Sequence, residues 1–430
     1  MNASTAGRGA FLRMLSGAVA VQIILSASNF VVGLLLVRQT SDEQYGYYVL
    51  ITTAILFGTT LQGSFMQPPM IIRLTRADAR GRADLIGGLY RDQRRLLPLA
   101  GVLLLVLAIG FQLTGQLTAP LVAILACGAL AFVAALRREF FRMVLFAYRR
   151  PNDVLQSDFV YCILLVTGAW LATLTRLPAA VAAAGLALAG VVGGTLLSKA
   201  LWRHEPWNVH APKGMLKEIA PQGAWSGFGG TAHWLFSQGY GYLVAGAIDV
   251  TAVAALAATR LFVMPVALLS IGIGTLMLPT ASKWTKEHPP TTVLRRLALF
   301  AAGMATLAAC YLGIMWLARD WIFAHVLKKH FAGSDALLIV WSVNALVTVF
   351  RDQLLYFLSA RGRFRSTSVL TATCAVISLS GGFVLMRYLG AVGASLGLLI
   401  AETINTTGIV VLSIREARRA VTLNESSQPA

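Results

Sequence analysis

The chain has 430 residues, 57% of them hydrophobic and 13% charged, with a mean hydropathy of +0.70. These values lie far outside the range of soluble domains and exclude a water-soluble enzyme. The formal charge of +18 would suit a nucleic-acid partner, but the positions of the basic residues, given below, argue for membrane topology instead.

A spanning helix needs roughly 20 mainly apolar residues. Twelve stretches meet that measure: 14–37, 45–70, 96–115, 118–141, 157–174, 179–199, 219–245, 251–282, 293–317, 335–358, 367–387 and 390–414. The first is too long for the apolar core of a signal peptide and no small-residue cleavage site follows it, so it reads as a retained helix. It carries Gln22, Ser26 and Asn29 at helical spacing along one face. After the second stretch comes the longest basic inward loop, "RLTRADARGRADLIGGLYRDQRR", whose arginines read mainly as topology retention, with an amphipathic segment on anionic headgroups as the alternative. The fourth stretch leads into a second basic run, 137–150, which includes Arg142, and the fifth opens with Asp158. A polar segment, "RHEPWNVHAPKGM", then divides the chain.

Beyond it the seventh stretch places Ser226, Gly230, His233, Ser237 and Tyr240 on one stripe, and the eighth carries Arg260. The tenth carries Asn344, Thr348, Arg351 and Asp352, and the twelfth Ser395, Glu402 and Asn405. Small polar residues and glycines on such stripes commonly serve close helix packing, and His233 suits an interhelical hydrogen bond as well as a functional role. Ionised groups differ, because an arginine or aspartate at a helix centre costs roughly 2.5–3.5 kcal/mol even on lenient scales. Arg351 lies too deep for easy snorkelling and needs a wet cavity or a partner. Asp352 points about 100° away around the helix, so each is expected to find another partner. Asp352, Glu402 and Asp158 are candidate counter-ions or ion-coupling groups. Arg351, Arg260, Arg142, His233, Asn344, Gln22 and Asn29 are candidate cavity residues for a large anionic or sugar-bearing substrate, since the guanidinium fork suits phosphate.

With the N-terminus placed inside, 28 Lys and Arg fall on that side, six on the other, and Arg260 and Arg351 within helices. The bias predicts cytoplasmic termini. No outward loop is long enough to fold as a domain. The four cysteines lie in separate apolar stretches without CxxC spacing, and the histidines form no ligand pair, so no metal, cofactor or catalytic group is expected. Weak matches at offsets of 207 and 209, pairing "VRQTSDEQYGYYVLITT" with "VAGAIDVTAVAALAATR" and "FRMVLFAYRR" with "FRDQLLYFLS", suggest a duplicated six-helix unit. The expected fold is therefore all-α, about twelve spans in two pseudo-symmetric lobes around a polar central cavity. Lobes at 1–203 and 217–414 would be joined by a linker at 204–216 and followed by a tail at 415–430.

Three segments, "TSDEQYGYYVLITTAILFG", "DVTAVAALAATRLFVMPVALL" and "LMRYLGAVGASLGLLIAETI", resemble the polysaccharide-exporter, or Wzx-like, oligosaccharide flippases of the multidrug/oligosaccharidyl-lipid/polysaccharide superfamily. An acidic-then-glycine turn after the first helix and a glycine turn before the last, here Tyr388, Gly390, Gly393 and Ala394, carry the likeness. The resemblance implies an inner-membrane transporter of undecaprenyl-pyrophosphate-linked oligosaccharide, working by alternating access. Its partners would be membrane lipids and a polysaccharide polymerase with chain-length machinery; nucleic acid is not among them. The family has no fixed cationic motif, so Arg351, Arg260 and Arg142 are candidates from this chain's own pattern. The rival readings are a drug or cation antiporter of the same superfamily, which needs a carboxylate-rich cavity, and a membrane polymerase or glycosyltransferase using Asp42 and Glu43.

Overall fold

The computed structural model describes residues 3–114 and 117–425, which are helical almost throughout and contain no strand. In chain order the helices are α1 (Ala3–Gln39), α2 (Asp42–Arg76), α3 (Ala79–Leu113), α4 (Ala119–Ala147), α5 (Pro151–Ala172), α6 (Pro178–His204), α7 (Met215–Gln238) and α8 (Tyr240–Ala247). They continue with α9 (Val250–Leu261), α10 (Met264–Glu287), α11 (Pro290–Leu317), the short α12 (Arg319–Trp321), a π-helical turn (Ile322–Leu327), α13 (Ser334–Ala360), α14 (Phe364–Leu389) and α15 (Ala391–Glu425). Nine described helices are long and apolar enough to cross a membrane, or ten if α9 and the start of α10 form one bent span. The predicted third segment, 96–115, lies in α3 up to Leu113, and residue 115 falls outside the described residues.

The apolar side chains are not all turned inward. Leu99, Leu130, Leu299 and Val376 are each about two-thirds exposed, at 66%, 65%, 64% and 67%. Such surfaces are matched by acyl chains and not by water. The protein is a multi-pass membrane protein.

Two expectations about the elements are corrected. The basic run at 73–95 is not a loop: α2 continues to Arg76, and α3 starts after only Ala77 and Asp78. The Asp78 carboxylate accepts the Gly81 N–H at 2.8 Å, so the second helix is capped at once. The eighth stretch is not one helix either. It breaks between α9 and α10 with a bend of 56°, because Pro265 at the start of α10 has no N–H to continue the ladder and suits only a first turn. Tyr311 of α11 donates its hydroxyl to the Phe262 carbonyl at the break, at 2.9 Å.

The chain divides into two compact units, Met1–Thr231 and Ala232–Ala430. In the first, α4 packs on α6, α3 and α2, while α5 packs on α6 and α1. Glycines permit the closest approach: a Cβ at Gly168 of α5 would stand 2.8 Å from the Gly185 Cα of α6. The segment 205–214 folds onto α3. The Asn208 N–H donates to the Ala83 carbonyl at 3.0 Å, and its side-chain amide donates to Asp84 Oδ1 at 2.7 Å. Arg91 donates to the Ala211 carbonyl at 2.9 Å, and the Asp92 carboxylate accepts the N–H groups of Gly214 and Leu216 at 3.1 and 2.9 Å, capping α7. A Cβ at Gly87 would strike the Asn208 carbonyl, so only glycine allows the seat. The α7 glycines have a packing reason in this unit: Cβ atoms at Gly223 and Gly230 would meet Phe65 and Ser64 of α2.

In the second unit α14 packs on α15, and α13 packs on α15, α11, α10 and α9. Its core is formed by Met277, Leu297, Leu354, Phe357, Leu358 and Ile409.

Candidate functional site

Each unit holds a charge cluster within apolar helices, and the second also holds an arginine at the broken span. In the first unit α4 runs unbroken to Ala147, past the expected end of the fourth stretch at 141, so the basic residues 137–142 occupy its last turns. Arg138 stands nine residues before that end, about 13 Å along the axis. It is buried, and Asp158 of α5 is completely so. The Arg138 guanidinium donates to one Asp158 oxygen, and Arg142 Nε donates to the other at 3.2 Å. Arg142 also meets Glu139 at 3.3 Å. The Tyr161 ring lies 3.7 Å from the Arg138 guanidinium carbon, and the missing side chain of Gly193 leaves it room, since a Cβ there would be 3.2 Å from the arginine. The charges balance, two arginines against two carboxylates. Burial of ions is costly unless they are paired in this way.

The second unit's cluster centres on Arg351, buried in α13. The pairing with Asp352 that the helix geometry disfavoured is present: the guanidinium folds back along its own helix and donates to Asp352 Oδ1 at 2.8 Å from Nη2 and 3.2 Å from Nε. Its Nη1 also pairs with Glu402 of α15. Ser270 of α10 donates to the second Asp352 oxygen at 3.0 Å. One arginine thus faces two carboxylates, and with all three ionised the net charge is negative. Around it the packing leaves polar atoms without partners: both amide atoms of the fully buried Gln353, the Oδ1 of Asn405 and the Oδ1 of Asn344. Buried polar atoms of this kind mark places that take up water or a ligand.

Arg260 is different. It lies eleven residues past Asp249, about 16 Å along α9, roughly half the thickness of a bilayer core. It sits one residue before the helix ends, beside the 56° break. Its Nη1 donates to Gln238 Oε1 at 2.9 Å and to the Tyr240 hydroxyl at 2.8 Å, the two residues that flank the interruption between α7 and α8. The Trp341 ring of α13 lies 5.3 Å from its guanidinium carbon, and the Tyr240 and Trp341 rings are 5.5 Å apart. Among the described residues no carboxylate pairs with Arg260. Its Nε and Nη2 edge, the edge that grips phosphate or carboxylate with two parallel bonds, donates to no protein acceptor there.

Gln22 and Asn29 lie on α1: Gln22 is half-buried and donates to Ser26 at 3.4 Å, while Asn29 is exposed. His233 of α7 stands within electrostatic reach of Arg351 and Asp352 and gives its carbonyl to Ser237 at 2.9 Å. No group of three or more His, Cys, Asp or Glu able to hold a metal occurs among the described residues. Asp42 and Glu43 lie in the first turn of α2 behind its cap Ser41, and Asp249 caps α9 at the equivalent place, its carboxyl held below the usual range by the Thr251 hydroxyl and the Ala252 N–H.

Sequence reasoning passed over Arg138, Tyr161, Ser270, Gln238 and Trp341. A signal existed for Arg138: Asp158, alone in an apolar stretch, required a cation from a neighbouring helix. None existed for Trp341, an ordinary aromatic in an apolar helix.

No family model and no curated protein sequence matches the chain. Solved structures do. An inward-facing multidrug resistance MATE family transporter of the MOP superfamily superposes with a TM-score of 0.76 at 13% identity, covering 96% of this chain and 100% of that one. The lipid II flippase MurJ, in an inward closed conformation, gives 0.73 at 10% identity, with coverages of 97% and 94%. A MATE structure in complex with MaL6 gives 0.67 at 12% identity, with 96% and 97% covered. At these identities the likeness is one of fold, and it extends over nearly the whole chain.

Proposed function

We propose that the protein is a transporter of the bacterial inner membrane that flips undecaprenyl-pyrophosphate-linked oligosaccharide units for polysaccharide biosynthesis, by alternating access and with both termini cytoplasmic. The observation that carries this reading is Arg260: a guanidinium at mid-membrane depth, beside a broken helix, whose bidentate edge is unused. Broken helices at the membrane midplane are where transporters build substrate sites. A pyrophosphate offers the paired oxygens this edge fits, and Trp341 and Tyr240 supply an aromatic wall of the kind that packs against sugar rings. The shared fold with a lipid II flippase agrees with a lipid-linked substrate. Arg142 and Arg138 supply further positive groups in the first unit, already paired. The outward-facing product would be the unit on which a polysaccharide polymerase and its chain-length partners act.

Arg351 takes a different role in this reading. With two carboxylates already on it, it is better suited to hold Asp352 and Glu402 for an exchangeable proton or cation than to hold pyrophosphate. The same excess of carboxylate favours a second reading, a drug or cation antiporter, which agrees with the fold shared with a multidrug resistance MATE family transporter.

The deciding experiment is translocation of a detectable prenyl-pyrophosphate oligosaccharide between leaflets of proteoliposomes, comparing wild type, Arg260→Ala and Arg351→Ala. Transfer by wild type that falls at least tenfold in Arg260→Ala, with equal protein in the membrane, supports the flippase reading and its site. Unchanged transfer in Arg260→Ala overturns the site. No transfer by wild type, with cation-driven efflux of lipophilic cations instead, establishes the antiporter.

A further inference from the structure

The turn from α13 to α14 and the facing part of α15 enclose a cavity of about 190 Å³ that the transport reading does not use. Leu358 and Leu412 form its apolar floor, and Arg363, Arg415, Arg419, Ser366 and Glu416 its polar rim. Glu416 serves the fold: it accepts from Arg361 Nε at 3.2 Å and from Arg363 Nη2 at 2.6 Å, tying the turn to α15. Arg363, Arg415 and Arg419 line the cavity beside that carboxylate, and Arg361 adds a fourth guanidinium at its edge. Gly362, at φ +71°, makes the turn tight enough to bring Arg361 and Arg363 to the same carboxylate. Ser366 lies in the first turn of α14, where unpaired N–H groups favour an anion.

The cavity's depth in the membrane follows from its position. It lies where three helices apolar enough to span, α13, α14 and α15, end or begin. Just past the arginines the outer surface becomes apolar, with Phe364, Val369, Val411 and Ile414 all exposed. A basic pocket with an apolar floor, bordered on one side by an acyl-facing surface, matches a phosphodiester whose chains continue along the helices. A free phosphate would use the rim and leave the floor and the apolar border without a role.

We propose that this cavity binds the headgroup phosphate of an anionic phospholipid, of the phosphatidylglycerol class, at the basic end of the second unit. The site is separate from Arg260 and Arg351 and does not depend on what is transported.

The test is native mass spectrometry of the full-length protein released from detergent, titrated with phosphatidylglycerol or with phosphatidylethanolamine, each with and without millimolar inorganic phosphate. The variants are Arg415→Gln with Arg419→Gln, the charge-keeping Arg415→Lys with Arg419→Lys, and the equal-charge control Arg94→Gln with Arg95→Gln, two exposed arginines of the other unit. Wild type should retain phosphatidylglycerol over phosphatidylethanolamine. The pocket glutamine pair should weaken retention roughly thirtyfold, the effect of two surface arginines, while the lysine pair keeps most of it and the control all of it. Equal loss in the control overturns the site in favour of bulk charge. Equal retention of both lipids overturns the headgroup assignment. Displacement of the lipid by inorganic phosphate alone, with phosphate itself retained, overturns the lipid as ligand and leaves an anion site.

Discussion

Removing Asp158 tests whether the first unit's charge cluster is a closed ion network, and the size of the effect follows from its geometry. Taking one partner from a buried ion pair costs about 3–5 kcal/mol, because the remaining charge has lost water without gaining a counter-ion. Arg142 would keep Glu139 at 3.3 Å, so the penalty falls on Arg138. Arg138 would retain the Tyr161 face at 3.7 Å, worth about 0.5–2 kcal/mol. Asp158→Leu should therefore destabilise the protein by about 2–4 kcal/mol. Arg138→Met with Asp158→Leu removes both charges and leaves Arg142 with Glu139, so the double variant should return to within about 1 kcal/mol of wild type. Chemical unfolding of the purified protein in mixed micelles, run as a double-mutant cycle, reads the coupling directly. Simple addition of the two single effects would refute the network.

Gly168→Val should force α5 from α6, since a side chain there meets the Gly185 backbone; a cost of about 1–3 kcal/mol and a broadened size-exclusion profile are expected. Glu402→Gln should leave substrate binding intact and abolish accumulation against a gradient in proteoliposomes; undiminished uphill transport would remove Glu402 from coupling. Asp249→Ala should cost about 1 kcal/mol at neutral pH through loss of the α9 cap. Because the folded state lowers the Asp249 pKa, that stabilisation is present above the ordinary carboxylate range and disappears as pH falls through the lowered value, so variant and wild type should converge in acid.

Helices with long apolar runs are legible in the sequence because their signal is local: length and hydropathy. The break in the eighth stretch is not, since "LFVMPVALL" is apolar throughout and a proline inside a membrane helix is commonly tolerated. Only the Tyr311 hydroxyl, from a helix fifty residues on, shows where the freed carbonyl goes. Arg351 and Asp352 each have the further partner expected, Glu402 and Ser270, but their contact with each other is discounted in the sequence for another reason. A rule about Cβ directions was applied to a side chain long enough to bend back on its own helix. Arg137 and Arg138 count toward the inner side because basic residues end spans, and the rule does not say how far inside the helix the last ones stand. That depth is set by the room left at Gly193 and by Asp158, both on other helices.

The segment 205–214 would ordinarily be drawn as string between two bodies. Pinned by Asn208, Arg91 and Asp92 and seated in the hollow of Gly87, it is a bracket instead. Its end-to-end span is fixed by hydrogen bonds and not by chain statistics. Force arriving along α7 is therefore passed to α3 before any slack is taken up, and lengthening the segment with glycine and serine would detach the bracket from its mounting and not merely loosen a tether.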